Sequence, residues 1–327
     1  MKQFKNILFV ADLVSRNSDA LERAATLAEN NQARLTVVVV TKRITVGIGM
    51  PPGGPISEDL QSAMTKKNML LLEELVAPFR QRVKIEVNEL IGVSFMEIIR
   101  DVLRNGRDMV IKIPEHITWS DRLFGSNDMH LFRKCPCPLW LIKPQAPKTY
   151  RRVLAAVDIP YGYPLEEQES RSALNQRVLE IASSEALAEF AELHIVHVWR
   201  AIGEDDNLHG VFLLKSENEE VRYVEQVKQQ HETGLAQFID DTDQNMGSNS
   251  LAYLLPKIHL IKGWPQNEVP SLAQHIEADL VVMGTVGLIG LPGFFMGNTA
   301  EAILSQINCS VLAIKPPGFE TPVTLEG

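Results

Sequence analysis

The chain has 327 residues, 45% of them hydrophobic and 22% charged, an ordinary balance for two globular domains in water. A net charge of −9 speaks against a nucleic-acid backbone as partner, and three cysteines are too few for a disulfide scaffold. Apolar runs stop at about six residues where a membrane span needs roughly 18, which excludes a transmembrane helix.

The opening stretch MKQFKNILFVADLV meets Asp12 after five apolar residues. That is too short for the core of a signal peptide, so the cytoplasm is the expected compartment. Asn6 to Asp12 reads as a strand buried on both faces and ending in Asp. A helix is predicted over 18–30, with Leu21, Ala24, Ala25 and Ala28 on one stripe. A second strand runs from Leu35 to Thr41, and Gly47 to Pro55 is loop chemistry. A long polar helix follows over 57–80, then a third strand ending at Gly92. Phe95, Ile98, Ile99, Val102 and Leu103 mark the next helix, closed by Asn105-Gly106. Asp108 to Ile111 and Pro138 to Pro144 are the fourth and fifth strands.

The pattern then starts again. Arg152 to Asp158 repeats the strand that ends in Asp. A helix over 172–190 carries Leu174, Val178, Ile181 and Ala182, and Leu193 to Trp199 is the next strand. A polar helix over 217–239 and a strand ending at Gly263 follow. Asp279-Leu-Val-Val matches the fourth strand, a helix spans Ala300 to Ile307, and Ser310 to Pro316 matches the last strand. At an offset of 172, Gly125, Cys137, Lys143 and Pro144 fall on Gly297, Cys309, Lys315 and Pro316. The chain is therefore one α/β unit written twice, over 1–146 and 147–317, with a tail over 318–327. Each copy predicts a doubly wound, five-stranded parallel sheet. The copies differ in charge, +4 in the first and −13 in the remainder, which favours their association unless it is drift on solvated surfaces.

Ligands in such sheets bind beyond the strand C-termini, where the strand order reverses. Asp12 and Asp158 stand there, as ligand groups or as turn formers. Gly284-x2-Gly287-x9-Gly297-Asn298 lies between a strand and a helix, a place where backbone N–H groups can approach phosphate. The same glycines also serve plain turn geometry. Asn298 with Glu301, and Ser126 with Asp128, fit helix N-caps. His194 and His197 fall on opposite faces of one strand and cannot chelate a metal together, and Cys137 and Cys309 read as small buried hydrophobes. No metal ligand set and no nucleophile motif, Walker loop or Gly-x-Gly-x-x-Gly fingerprint occurs, so no catalytic residue is predicted.

The strand-ending Asp, the glycine loop and the Ile-Lys-Pro ending together resemble the universal stress protein family in its tandem form, across nearly the whole chain. That resemblance implies a non-enzymatic stress-response protein. Its two domains would pair through their last strands as an internal pseudo-dimer. It also implies an ATP site with magnesium in the second copy. There Gly284, Gly287, Gly297, Asn298 and Thr299 would line phosphates, Asp158 the ribose-phosphate region, and the Val198 backbone the base. The degenerate counterpart in the first copy comprises Asp12, Val40, Gly125 and Ser126.

The departures are specific. Asn298 replaces the usual hydroxyl residue, and Leu288 stands where nucleotide-binding members often carry a basic one. Glu301 in the first helical turn would repel a triphosphate, with nothing nearby in sequence to compensate. In the first copy both early glycines are gone, replaced by Lys112 and Glu115 or, one residue along, by Ile113 and His116. Leu288, Ile289, Leu291, Phe294, Phe295 and Met296 either pack against the other half or line a pocket for an acyl, lipid-like ligand. One specialised site at most is expected, in the second copy.

Overall fold

A computed structural model describes residues 4–14, 18–45, 55–115, 124–161, 163–201, 217–247, 250–285 and 296–325. In the first half β1 (Asn6–Val10), α1 (Ser18–Asn31), β2 (Arg34–Thr41), α2 (Pro55–Val76) and β3 (Ile85–Ile91) lead to α3 (Ser94–Asn105), β4 (Met109–Lys112), α4 (Ser126–Lys134) and β5 (Leu139–Leu141). The second half repeats this with β6 (Arg152–Ala156), α5 (Leu165–Glu189), β7 (Glu192–Trp199), α6 (Glu217–Met246), a short α7 (Ser250–Leu254) and β8 (Lys257–Lys262). It closes with α8 (Pro265–His275), β9 (Leu280–Gly284), α9 (Asn298–Leu304) and β10 (Ser310–Ile314).

The local reasons are those visible in the residues. β1, β4 and β10 are buried along their whole length, as strands covered on both faces must be. α3 turns Ile98, Ile99 and Val102 inward and stops at Gly106, whose φ of 60° supplies the left-handed cap. The last helix begins at Asn298 rather than Ala300, and α5 begins at Leu165, seven residues before its apolar stripe becomes regular. That early start matters, because it carries the first turns of α5 over the end of β6.

The strand order is β3-β2-β1-β4-β5-β10-β9-β6-β7-β8, one sheet of ten strands. Neighbours are parallel within each half. The halves join where β5 and β10 run antiparallel, Leu141 opposite Val311, Trp140 opposite Leu312 and Leu139 opposite Ala313. Pairing through the last strands is therefore what the chain does. A strand that would end one sheet as an unpaired edge is closed by its own repeat.

Two apolar layers cover the two faces, and each runs through both halves. One holds Ile7, Phe9, Trp140, Val153 and Leu312 under α1, α2, α5 and α6. The other holds Leu8, Val110, Leu141, Leu154 and Val311 under α3, α4, α8 and α9. The tail returns to the first half, where Arg100 donates to the Thr324 carbonyl at 3.2 Å.

Candidate functional site

In each half the strand order reverses between the first and fourth strands, and in the second half these are β6 and β9. A pocket of about 400 Å³ opens there. It gathers Asp158 after β6, Val198 from β7, Gly284 at the end of β9, and Gly297, Asn298 and Thr299 at the start of α9. Six residues that lie up to 141 positions apart in sequence thus share one cavity. Its apolar walls are Ala156, Val196, Val269, Met283 and Ile303.

Gly284 is closely packed. A Cβ there would stand 2.6 Å from Cδ2 of Leu174, itself a wall of the pocket. Gly287 and the residues 288–295 of the apolar stretch, including Leu288, Ile289, Leu291, Phe294 and Phe295, lie outside the described residues. Met296 is buried in the core beside β9 and is not among the pocket's lining residues. Asn298 is the first helical residue, not the cap. Gly297 holds the cap position, and no side-chain cap bond forms. Among the described residues, the loop is closed at its base by the Gly297 N–H donating to the Thr285 carbonyl at 3.2 Å.

Three polar residues of the pocket escaped the sequence reading: Tyr163, Arg171 and Asn175. Asn175 holds the Asp158 backbone, accepting its N–H at 3.0 Å and donating to its carbonyl. The Tyr163 hydroxyl donates to the Asp158 carboxylate at 3.0 Å, and the Arg171 guanidinium lies 3.4 Å from it. Arg171 also stacks 3.7 Å above the Tyr163 ring and pairs with Glu167 at 3.0 Å. Half the Asp158 side chain, 52%, is accessible. The protein around the carboxyl nonetheless raises its pKa, against the Tyr163 hydroxyl and Arg171, which favour the charged form. The signal was present in sequence: Arg171 and Asn175 are four apart on the helix that follows Asp158, on the face that also carries Leu174.

Glu301 is not uncompensated. Arg133 of α4, in the other half, pairs with its carboxylate across the seam. Both side chains are partly exposed, so the pair contributes at most about 1 kcal/mol, but it removes the local negative charge from the helix start.

The first half shows what became of its own site. Strand register settles the one-residue ambiguity: Leu8 pairs with Val110 and Leu154 with Val281, so Lys112 matches Met283 and Ile113 matches Gly284. By the same offset as the other end of the loop, Asp128 matches Ala300. Lys112 and Asp128 form a buried ion pair at 2.8 Å, with side chains 7% and 0% exposed. The other oxygen of Asp128 accepts the N–H groups of Glu115 at 2.9 Å and Gly125 at 3.1 Å. The donors that a helix start would offer an anion are taken by an internal carboxylate. Ser126 is therefore not the cap; Gly125 is, with Asp128 reaching back to it. Asp12 is a turn former, accepting the Val14 N–H at 2.9 Å, and Val40 packs against the core.

Histidines 194 and 197 do face opposite ways. His194 meets His259 at 3.0 Å, and His197 meets His231 of α6 at 2.8 Å. Among the described residues no three His, Cys, Asp or Glu side chains gather as a metal site.

The model of the universal stress protein family matches residues 3–143 and again 149–315. The chain belongs to the universal stress protein family. It is similar to universal stress protein E of Escherichia coli K12, 26% identical over 339 residues that span all of this chain and 98% of the relative. A universal stress protein E homolog of Haemophilus influenzae is 27% identical, covering 96% of this chain and 98% of its own. Among solved structures, a protein of unknown function from Pseudomonas aeruginosa PAO1 superposes with a TM-score of 0.63 at 25% identity, covering 96% of this chain and 94% of that one. A universal stress protein from Archaeoglobus fulgidus shares the tandem fold at a TM-score of 0.59 and 16% identity, covering 96% and 99%. The universal stress protein fold is thus present twice, joined into one sheet, and no described helix is long and apolar enough to cross a membrane.

Proposed function

We propose that this universal stress protein is a cytoplasmic, non-catalytic regulator that binds an adenine nucleotide in the second-domain pocket. The observation that carries the reading is the convergence of Asp158, Val198, Gly284, Gly297, Asn298 and Thr299 on one cavity at the β6/β9 crevice. The Val198 strand end would meet the base, Asp158 the ribose, and the glycine loop the phosphates, with magnesium accompanying a triphosphate. Arg171 supplies a cation that the loop itself lacks. Pairing of Glu301 with Arg133 supports the same reading, since it lowers the charge an anionic ligand would face. The first domain serves as built-in partner, its equivalent donors occupied by Asp128.

Calorimetric titration of the full chain with ATP and magnesium tests this. Saturable heat is expected with Kd below about 1 mM, and at least tenfold weaker binding in Gly284→Val. Absence of heat at millimolar nucleotide overturns it. Nucleotide turnover above about 0.01 per second that disappears in Asp158→Ala would overturn the non-catalytic assignment.

The apolar walls Val196, Val269, Met283 and Ile303, with Arg171 the one cation among the lining residues, favour a second reading in which the ligand is acyl or lipid-like. Native mass spectrometry separates the two: an adduct of lipid mass on purified protein supports the second, and a bare polypeptide mass counts against it.

A further inference from the structure

One cleft belongs to neither strand-end site. It measures about 720 Å³ and lies between α1 of the first domain and α5 of the second. These helices are equivalents. β1 pairs with β2 at Asn6–Arg34 and β6 with β7 at Arg152–Glu192, and each helix ends on the same backbone bond, Ala33 to Ala28 and Ala191 to Ala186. Below them Trp140 is paired with Leu312, its own counterpart at the 172-residue offset. The internal twofold axis therefore passes beside Trp140, and the cleft straddles it.

At this axis the two copies have diverged toward charge. Arg23 faces the cleft where the second copy has Ile181, Glu185 where the first has Leu27, and Glu189 where the first has Asn31. Arg23 and Glu189 are satisfied: they pair with each other, and Arg23 also donates to the carbonyls of Pro147 at 3.1 Å and Lys148 at 2.8 Å. Lys148 lies 3.8 Å from Asp19, and Glu22 pairs with Arg82. Glu185 is different. It is 6% exposed, lines the cleft, and makes no hydrogen bond among the described residues. The Trp140 indole N–H beside it, fully buried, has no hydrogen bond of ordinary geometry either.

A buried carboxyl with no donor, opening on a cavity, is a costly arrangement for a surface that does nothing. What would complete it is a group that brings both N–H donors and a positive charge. The walls select the same sign: the cleft carries Asp19, Glu22, Glu185 and Glu189 against Arg23 and Lys148. The cation already held at this axis, Arg23, lies 3.6 Å above the buried Tyr150 ring and 5.8 Å from the buried Trp140 ring. We propose that the axial cleft binds a small organic ammonium ion, such as an aliphatic diamine, whose ammonium pairs with Glu185.

The pocket at β6/β9 takes no part in this, so the two sites stand or fall separately. Burial pushes the Glu185 carboxyl up to about 7, helped by Glu189 and opposed by Arg23. An ammonium ligand must therefore draw it into its charged form, against a background set by Arg23, Glu189 and the buried Tyr150 hydroxyl, which burial pushes up to about 12. Titration of the full chain with putrescine, followed by calorimetry at pH 6 and pH 8, gives the test. Binding at pH 8 is expected to be about tenfold tighter than at pH 6, and Glu185→Gln is expected to lose at least tenfold at pH 8 and to respond little to pH. No heat at about 10 mM putrescine, equal affinity at the two pH values, or a folded Glu185→Gln that binds as well as wild type each overturns the proposal. Should that variant fail to fold, the wild-type pH comparison alone decides.

Discussion

Gly284 stands at the end of β9 with Leu174 pressed against the position where a side chain would begin. Alanine there moves the Leu174 methyl groups toward the pocket that both residues line. The expected result of Gly284→Ala is a loss of about 1–3 kcal/mol in stability together with a smaller pocket, measured by urea unfolding and by nucleotide titration. The glycine was readable in the sequence as loop chemistry. Its contact with a helix 110 residues earlier was not, because spacing along a chain carries no information about which side chain leans on it. Arg171, Tyr163 and Asn175 were missed for a related reason. Tyr163 precedes α5, Arg171 lies before the predicted start of the helix, and with Asn175 they become a site only because α5 starts early enough to lie over the end of β6. Glu185 gives the residue scale a prediction with a sign. Its pKa is raised from 4.5 to about 7, so the folded state holds a proton more tightly than the unfolded one. Stability from this group is complete below pH 4.5 and is lost as pH rises through 7. Without ligand, Glu185→Gln should match wild type at pH 4.5 and exceed it by roughly 3 kcal/mol at pH 8, read from urea unfolding at both pH values.

α4 and β4 in the first domain form a closed unit around Lys112 and Asp128. Removing one member strands the other. Asp128→Ala alone is expected to cost about 3–5 kcal/mol, since Lys112 would remain buried without its partner. Lys112→Met with Asp128→Ala installs the residues found at the matching positions of the second domain, Met283 and Ala300, and should recover most of that loss. A double-mutant cycle by chemical denaturation measures the coupling, and an additive result would rule the picture out. Element types and order were legible in both halves, the short α7 apart, because the apolar runs of the strands and the stripe of α3 are strong local signals. The loop register was not. Two alignments one residue apart fit the first half equally well in sequence, and only the pairing of β1 with β4 and β6 with β9 separates them. The cap positions also shifted by one, to Gly125, where Asp128 reaches back to the backbone N–H, and to Gly297, where no side-chain cap bond forms.

For the whole molecule, the β5/β10 pair makes one sheet of two domains and lets each apolar layer run through both. Unfolding should therefore be a single cooperative transition, with calorimetric and van't Hoff enthalpies in agreement. Trp140→Ala, at the centre of the seam, should lower stability by about 3–5 kcal/mol and bring a second transition into view. Two separate transitions in the wild-type chain would contradict the continuous core. The duplication was legible from four residues at a fixed offset, and the seam followed from the family resemblance. The cleft above the seam was not, since neither copy contains it.

The charges of that cleft differ from one side to the other because two copies share one polypeptide. In a dimer of identical chains every substitution is made twice. Arg23 meets Glu189, the counterpart of position 31, so a symmetric dimer carrying both charges would hold that ion pair on both sides of the axis. Fusion lifts that constraint. Arg23 arose on one side only and Glu189 on the other, and they hold each other along with the linker carbonyls of Pro147 and Lys148. A tandem chain can thus carry on one side of its axis a charge that the other side lacks, which identical chains cannot do.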